Sequence, residues 1–314
     1  LAADWLVEEA VSLSEKSGIP KVVIGATIVS LGTTVPETAV SVLAALDGKP
    51  DLALGNAVGS IICDTGLILG IACLINPLPL PANVVNRQGW LQIAAGFLLV
   101  LCCWPWNAPT TAFSSGGALP QWAGFLFLGL LGLYLIFSIR WSRGEKPLPL
   151  QEVEAPTGEP ILWSLVKLTL SIVLVVFSSH LLIPAVEEAA IRMSIPQSIV
   201  AATLVAFGTS LPELVTAVTA ARHGHGDLAV GNVVGADILN VLFVAGAAAA
   251  VTPSGLPAEP HFFQLLFPTM LGVLIVFRIG ILYSKETLKF GFGLILIALY
   301  AGFLILNYAH SQGH

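Results

Sequence analysis

Two short sequence frames place a glutamate inside apolar sequence: GTTVPE ends at Glu37 and GTSLPE ends at Glu213. A carboxylate at the centre of a membrane costs about 2.5–3.5 kcal/mol on insertion scales, so an ion or proton path is the default reading of such a group. Proline has no N–H, and each frame therefore frees the carbonyl four residues before its proline, at Gly32 or Gly208. Each frame predicts a broken helix that offers a carboxylate and spare carbonyl oxygens to a cation.

Further oxygen donors lie close to each glutamate and in the segment that follows. The same frames carry the hydroxyls of Thr33, Thr34, Thr209 and Ser210. The later segment GNAVGSIICD spaces Asn56, Ser60 and Asp64 by four residues on one helix face, and GNVVGADILN places Asn232, Ala236 and Asn240 at the matching positions. Oxygen ligands suit hard cations such as Ca2+ and Na+. Thiolate or imidazole ligands for softer metals are not offered, because the thiol of Cys63, next to Asp64, points about 100° away from it on a helix.

Other interpretations compete for the weaker of these positions. Asparagine and serine side chains inside a membrane also serve to hold helices together. Asp237 aligns with Ile61 of the other copy, so it has no symmetric partner. Three roles remain open for it: a proton carrier, a member of an ion pair outside the main site, or a polar packing residue. His223 and His225, in RHGHGD, are expected in a solvated loop, with regulatory metal binding as the alternative.

The two motif regions are copies of one another. Residues 18–70 align without a gap with residues 194–246, at a constant offset of 176, and 22 of the 53 aligned positions are identical. Chance would give about one position in fifteen to twenty, so the chain carries an internal duplication, a feature that decides the fold.

Composition places these motifs in a membrane. The 314 residues are 56% hydrophobic and 10% charged, with a mean hydropathy of +0.88, whereas soluble domains carry about 25% charged residues. The four cysteines fall in apolar segments with no metal or disulfide spacing, and no basic cluster predicts nucleic-acid binding. Nine stretches are long enough to cross a bilayer: 22–46, 52–76, 88–104, 120–140, 161–186, 196–221, 228–252, 262–281 and 288–308.

The duplication also predicts the full architecture. A helix at 161–186 precedes the second motif copy, whereas Leu1 already aligns with Phe177, so we expect this chain to begin inside its first transmembrane helix. The expected fold is all-α, with ten helices in two inverted repeats of five: 1–140, a hydrophilic linker at 141–160, and 161–314. An odd number of helices per repeat turns the two copies in opposite directions.

The basic residues test this arrangement through the positive-inside rule. With the loop after the first helix in the cytoplasm, eleven basic residues fall on the cytoplasmic side and only Lys49 and Arg192 fall outside. The eleven are Lys16, Lys21, Arg87, Arg140, Arg143, Lys146, Lys167, Arg222, Arg278, Lys285 and Lys289. This predicts an inner (plasma) membrane protein with a cytoplasmic linker and both termini outside.

The duplicated motifs resemble the cation/Ca2+ exchanger superfamily, and within it the prokaryotic Na+/Ca2+ exchanger branch. That family carries G-[ST]-[ST]-x-P-E followed by G-N-x-x-G-S-N in each of its two repeats. The resemblance implies that Glu37 and Glu213 bind Ca2+ with help from the backbone of Thr33 and Thr209. It also implies that the Na+ ligands are Ser60, Thr34, Ser210 and the carbonyls of Ser30 and Ala206.

The chain departs from the family pattern at three places in these motifs. Relatives tend to carry the extra aspartate at the position of Asn240 and an asparagine at that of Asp64; here the two are reversed. Ala236 replaces an expected serine, and Asp237 replaces an asparagine. The site charge is therefore kept, while one Na+ position has lost a hydroxyl.

Together these observations predict a secondary antiporter that exchanges Ca2+ for Na+ by alternating access, without enzymatic activity or a cofactor, and working as a monomer. Exchange driven by H+, or assisted by K+, is the alternative, because Asp64 and Asp237 could titrate. A passive channel is less favoured, because channels usually need an oligomeric or continuous pore and a two-repeat core with kinked half-sites argues against one. An intramembrane aspartyl protease is excluded because its paired aspartate motifs are absent.

Overall fold

The computed structural model describes residues 1–80, 82–142, 160–192, 208–284 and 286–312. The first repeat contains helices α1 (Ala2–Ser17), α2 (Lys21–Thr33), α3 (Val35–Leu46), α4 (Pro50–Ile75), α5 (Ala82–Cys103), the short α6 (Ala112–Ser115) and α7 (Gln121–Ser142). The second contains α8 (Ile161–Arg192), α9 (Leu211–Arg222), α10 (Gly226–Ala250), α11 (Phe262–Tyr283) and α12 (Phe290–Gln312).

The chain is a helical, multi-pass membrane protein. In the described part of the chain, six helices are long and apolar enough to cross a bilayer, and the bent pair α2 and α3, taken as one span, would be a seventh. Helices suit this setting because their backbone polar groups are satisfied within the segment itself. The buried helices α4 and α10 form the centre, whereas α7, α8 and α12 turn most of their surface outward.

Most of the predicted spans correspond to helices, with corrections at their ends. The span predicted at 88–104 is a helix that begins at Ala82, because the polar residues Asn86 and Arg87 continue it beyond the apolar run. The helix predicted at 161–186 runs on to Arg192. The first part of the span predicted at 196–221, and most of the linker predicted at 141–160, lie outside the described residues. The ten-helix total stays a prediction.

Loops of the two repeats pair with each other at opposite ends of the helices. Strand β1 (Leu78–Pro79) pairs antiparallel with β4 (Thr287–Leu288), and β2 (Gly117–Leu119) pairs with β3 (Leu256–Ala258). The first pair joins two loops that the basic-residue pattern assigns to one membrane face, and the second pair joins two loops assigned to the other. This pairing agrees with inverted repeats.

Helix α10 packs directly against the backbone of α2. A Cβ atom on Gly231 would lie 2.2 Å from the Val22 carbonyl oxygen, and one on Gly235 would lie 2.5 Å from the Ala26 Cα. Both distances are too short for any side chain, so these two glycines are required by the close approach of the helices. The contact joins the second repeat to the first half of the broken helix in the first repeat.

Candidate functional site

The first broken helix positions Glu37. Helix α2 ends at Thr33, α3 begins at Val35, and the two axes differ by 42°. Pro36 lies in the first turn of α3, where its missing N–H leaves the Gly32 carbonyl oxygen of α2 without its helical partner. Glu37 therefore lies in the first turn of α3, buried at the break, as the GTTVPE frame predicts.

The second frame, GTSLPE, positions Glu213 at the start of a helix. Helix α9 begins at Leu211, with Ser210 as its N-cap residue, Pro212 in its first turn and Glu213 directly after it. Glu213 is fully buried. The helical half that would precede this break, including Ala206, lies outside the described residues.

Hydrogen bonds join these breaks across the two repeats. The Thr34 hydroxyl donates to Glu213 Oε1 at 3.4 Å. The Thr209 hydroxyl donates to Asn56 Oδ1 at 3.3 Å, and the Asn56 amide donates to the Glu37 carbonyl oxygen at 3.5 Å. The glutamates of the two copies therefore belong to one buried polar region built from both repeats.

A second cross-repeat contact marks the pseudo-twofold axis. Asp64 and Asn240 occupy equivalent positions, 176 residues apart, and the Asn240 amide donates to Asp64 Oδ2 at 3.2 Å. Two symmetry-related residues touch each other only where the axis passes between them. Both lie at the start of π-helical segments, Cys63–Ile68 in α4 and Asn240–Ala245 in α10, and such segments are frequent at functional sites.

The site holds many oxygen atoms that no described residue satisfies. Both carboxylate oxygens of Glu37 are buried and have no hydrogen-bond partner. The same holds for Glu213 Oε2, Asp64 Oδ1, Asn240 Oδ1, Ser60 Oγ and Ser210 Oγ. Because buried polar groups are nearly always paired in proteins, these bare oxygens indicate a place for a cation or for water. Carboxylate, amide and hydroxyl oxygens are the donor set that Ca2+ and Na+ take.

Three further predicted ligands, Thr33, Ser30 and Asn232, lie in the described part of the chain. Thr33 donates to the Ser30 carbonyl oxygen at 3.3 Å, and Ser30 donates to that of Thr27 at 3.4 Å. Both amide atoms of Asn232 are buried without a partner. Among the described residues no three His, Cys, Asp or Glu side chains are close enough to share one metal ion. A cation here would therefore need neutral oxygens beside the glutamates.

Asp237 lies in a separate polar cluster that the sequence did not predict. Its Oδ2 atom accepts hydrogen bonds from the Thr65 hydroxyl and from Gln92 Nε2, the latter at 2.5 Å. Gln92 belongs to α5, a helix for which the motifs indicate no role. Its signal was present in the sequence, since Gln88 and Gln92 stand four residues apart in an otherwise apolar span.

The chain matches known exchangers over nearly its whole length. Residues 1–140 and 163–309 match the family model described as sodium/calcium exchanger protein. The inner membrane protein YrbG of Escherichia coli is 33% identical over 88% of this chain and 83% of its own length. The sodium/calcium exchanger MaX1 of Methanosarcina acetivorans is 27% identical over 97% and 93%.

A solved structure has the same fold. The structure of the sodium-calcium exchanger NCX_Mj superposes with a TM-score of 0.76 at 25% identity, and the match covers 96% of this chain and 92% of that one. Together with the family match, this confirms the resemblance drawn from the duplicated motifs. The chain belongs to the sodium/calcium exchanger protein family.

Proposed function

We propose that this chain is a secondary antiporter that exchanges Ca2+ for Na+ by alternating access, through the site between its two broken helices. The observation that carries the proposal is Glu37 at the break of a membrane helix, whose two buried carboxylate oxygens have no donor among the described residues. A carboxylate in this position is stable only when a cation, a proton or water satisfies it. Its counterpart Glu213 faces the same polar region with one bare oxygen.

The available ligands favour Ca2+ at the glutamates. Ca2+ takes six to eight oxygens, usually including carboxylates. Glu37 and Glu213 would supply the carboxylates, and the backbone at Thr33 and Thr209 would supply neutral oxygens. Each glutamate directly follows a proline in the first turn of its helix, so the carbonyls of Thr33 and Thr209 lie four residues before a glutamate in the sequence.

Na+ would use the surrounding oxygens of the same region. The ligands we assign to it are Thr34, Ser60 and Ser210, with the carbonyls of Ser30 and Ala206. Thr34 already donates to Glu213 at 3.4 Å, so an ion bound at Thr34 alters the surroundings of a Ca2+ ligand. Overlapping ligands make the two ions compete, and competition for one site couples their opposing fluxes.

The names of relatives and the basic-residue pattern support the wider assignment. MaX1 and NCX_Mj are both named sodium/calcium exchangers, and a relative from Alkalimonas amylolytica, 30% identical, is named putative antiporter CaxA. The eleven-to-two distribution of basic residues supports a cytoplasmic linker with both termini outside, in the inner membrane. We assign transport to a single protomer and no enzymatic reaction.

Proton-driven Ca2+ exchange is the second candidate, favoured by the buried carboxylates of Asp64 and Asp237, each of which has one bare oxygen. The test is uptake of radioactive Ca2+ into proteoliposomes loaded with Na+, with K+ or with acid. Na+/Ca2+ exchange predicts uptake only with internal Na+. Uptake that follows the proton gradient and ignores Na+ would replace the proposal with the second candidate.

Variants tie this flux to the site. Glu37→Gln and Glu213→Gln keep the size of the side chain and remove its charge, and each is expected to abolish Na+-dependent uptake. Glu259→Gln is the matched control, because Glu259 is exposed in a loop, and it should transport like the unmodified protein. Normal uptake in both glutamine variants at the breaks would contradict the proposed site. Uptake that persists without any opposing gradient would indicate a channel.

A further inference from the structure

The cluster around Asp237 is built like a binding site of its own. Asp237 is 2% exposed, and Thr65 and Gln92 are as deeply buried. Three different helices supply them: α10, α4 and α5. Asp237 Oδ2 accepts hydrogen bonds from Thr65 and from Gln92, and Gln92 Nε2 also donates to the Thr65 hydroxyl at 3.2 Å. Asp237 Oδ1 is buried and has no partner among the described residues.

Packing alone does not account for this arrangement. A polar cluster that only holds helices together is stabilising when all its members are satisfied, and a half-satisfied one is worse than an apolar contact. The equivalent residue in the first repeat is Ile61, which shows that the fold accommodates an apolar side chain at this position. The carboxylate at Asp237 therefore adds a charge that the helix packing does not need.

The partners of Asp237 can serve a carboxylate with or without an ion. A hydroxyl donates one hydrogen bond and has two lone pairs, and a glutamine amide carries a carbonyl oxygen beside its NH2 group. The Thr65 hydroxyl and the Gln92 NH2 group donate to the bare carboxylate. Rotation of the hydroxyl and of the amide would instead turn oxygens toward a cation beside Asp237.

The charge of the cluster selects the kind of ion. Asp237 supplies one carboxylate, and Thr65 and Gln92 add neutral oxygens, which is a weak set for Ca2+ with its six to eight ligands. The second repeat also differs from the first in its oxygen donors: Ala236 stands where the first repeat has Ser60, and Asp237 stands where the first repeat has Ile61. The second repeat therefore lacks one hydroxyl and has one additional carboxylate at the next residue.

We propose that Asp237, Thr65 and Gln92 form a second cation site, separate from the Glu37 and Glu213 site, that takes a monovalent alkali ion. The proposal rests on the proposed antiport, since it assigns part of the monovalent-ion binding to this cluster. Na+ and K+ share the required chemistry, and the experiment separates them.

The test measures equilibrium binding of radioactive Na+ to the purified full chain in detergent, with K+ and Ca2+ as competitors. Asp237→Asn and Thr65→Val each remove one oxygen ligand while nearly keeping the shape of the side chain. Both are expected to weaken binding of the alkali ion by about tenfold, while Ca2+ affinity stays within about twofold. If K+ is the ion, the loss appears in the binding of radioactive K+, measured in parallel, and binding of Na+ is unchanged.

Gln88 supplies the matched control. It is a buried glutamine on the same helix as Gln92, one turn earlier, and it donates to the Ser138 hydroxyl at 3.3 Å. Gln92→Leu should weaken alkali-ion binding, whereas Gln88→Leu should leave it unchanged. If Asp237→Asn does not fold, Thr65→Val and Gln92→Leu decide the question.

Three results would overturn the proposal: wild-type affinity for both alkali ions in all variants, an equal loss of Ca2+ and alkali-ion binding, or a change in proton dependence alone. Failure of the antiport itself is distinguishable. It would appear as an absence of Na+-driven Ca2+ uptake by the unmodified protein, whatever the binding assay gives for Asp237.

Discussion

The two copies of the repeat carry the same frame and nevertheless make different contacts. Glu213 accepts a hydrogen bond from Thr34 of the other copy. Glu37, the equivalent of Glu213, has no hydrogen-bond partner among the described residues at either carboxylate oxygen. Sequence symmetry therefore does not give a symmetric site. Transporters of this architecture alternate by moving one repeat against the other, so unequal halves are expected in any single conformation.

The difference disappears at the axis. Asp64 and Asn240 are equivalent positions that contact each other directly, so one carboxylate and one amide serve both copies. The order of the two residues is reversed relative to the pattern of the family, yet the pair as a whole keeps the same groups. At the axis the composition of the pair should therefore matter more than which helix carries each member.

Exchanging the axial pair gives the largest expected effect. Asp64→Asn removes the carboxylate, and Asn240→Asp adds a second one at hydrogen-bonding distance, where like charges oppose joint ionisation. Each single variant should lower the initial rate of Na+-dependent Ca2+ uptake by about tenfold or more, while the double exchange should recover most of it, because contacting residues are not additive. Purified variants in proteoliposomes provide the measurement. A double variant as slow as the product of the two single losses would show that the helices at the axis are not interchangeable.

The asparagines shared by the two GN motifs separate the copies more clearly. Asn56 donates to Ser41 Oγ at 3.0 Å and to the Glu37 carbonyl, and it accepts from Thr209. Asn232, its equivalent, makes no hydrogen bond with a described residue through either amide atom. Asn56 thus holds the polar region together in the absence of ions, while Asn232 has its oxygen free for a ligand.

Alanine substitutions at these two positions should therefore affect different quantities: one the stability without ions, the other the stabilisation that added ions give. Asn56→Ala leaves buried partners unsatisfied and should lower the unfolding free energy by about 1–3 kcal/mol in ion-free buffer. Asn232→Ala should be close to neutral there, and should instead lose part of the stabilisation that added Ca2+ or Na+ gives by mass action. Thermal unfolding of the detergent-solubilised proteins, with and without ions, measures both. Equal losses in ion-free buffer would remove the distinction between the copies.

The sequence predicted the break between α2 and α3 because proline and glycine act locally. The break before Glu213 stays a prediction, since residues 193–207 lie outside the described part of the chain. GTTVPE and GTSLPE specify where a helix must break and which residue follows, whatever packs around it. The duplication likewise predicted that Glu37, Glu213 and Asp64 lie close together, since equivalent positions in an inverted repeat meet near one axis. Family membership follows from the same motifs.

Contacts between residues that are not equivalent positions of the two repeats could not be predicted from the duplication. Asp237 has no equivalent carboxylate, and Gln92 comes from a helix outside the duplicated motifs, so no spacing rule brings them together. The partners of Asn56 also depend on how far one repeat has moved against the other. Only packed helices fix such contacts, which is why the motifs predicted the ligand types better than their hydrogen bonds.

The loops between the motif helices differ in a residue that can make stability depend on pH. His225 is equivalent to Lys49, which is exposed, but His225 is half-buried and lies 3.2 Å from Lys21 Nζ through its Nδ1 atom. Burial lowers the pKa of His225 below its ordinary value, and the charge of Lys21 lowers this pKa further; Asp227 acts in the opposite direction. Protonated His225 is therefore disfavoured in the folded chain relative to the unfolded one.

The smallest expected effect is a loss of stability on the acid side. As the pH falls through the ordinary histidine pKa of about 6.5, the unfolded chain takes up a proton that folded His225 resists, so the unfolding free energy decreases until the lowered pKa is passed. His225→Gln should flatten this dependence, since glutamine does not titrate. Lys21→Met should reduce it only in part, because burial, the larger cause, remains. Unfolding temperatures across the range from neutral to mildly acidic pH measure the slope, and a slope unchanged in His225→Gln would assign the acid sensitivity to another group.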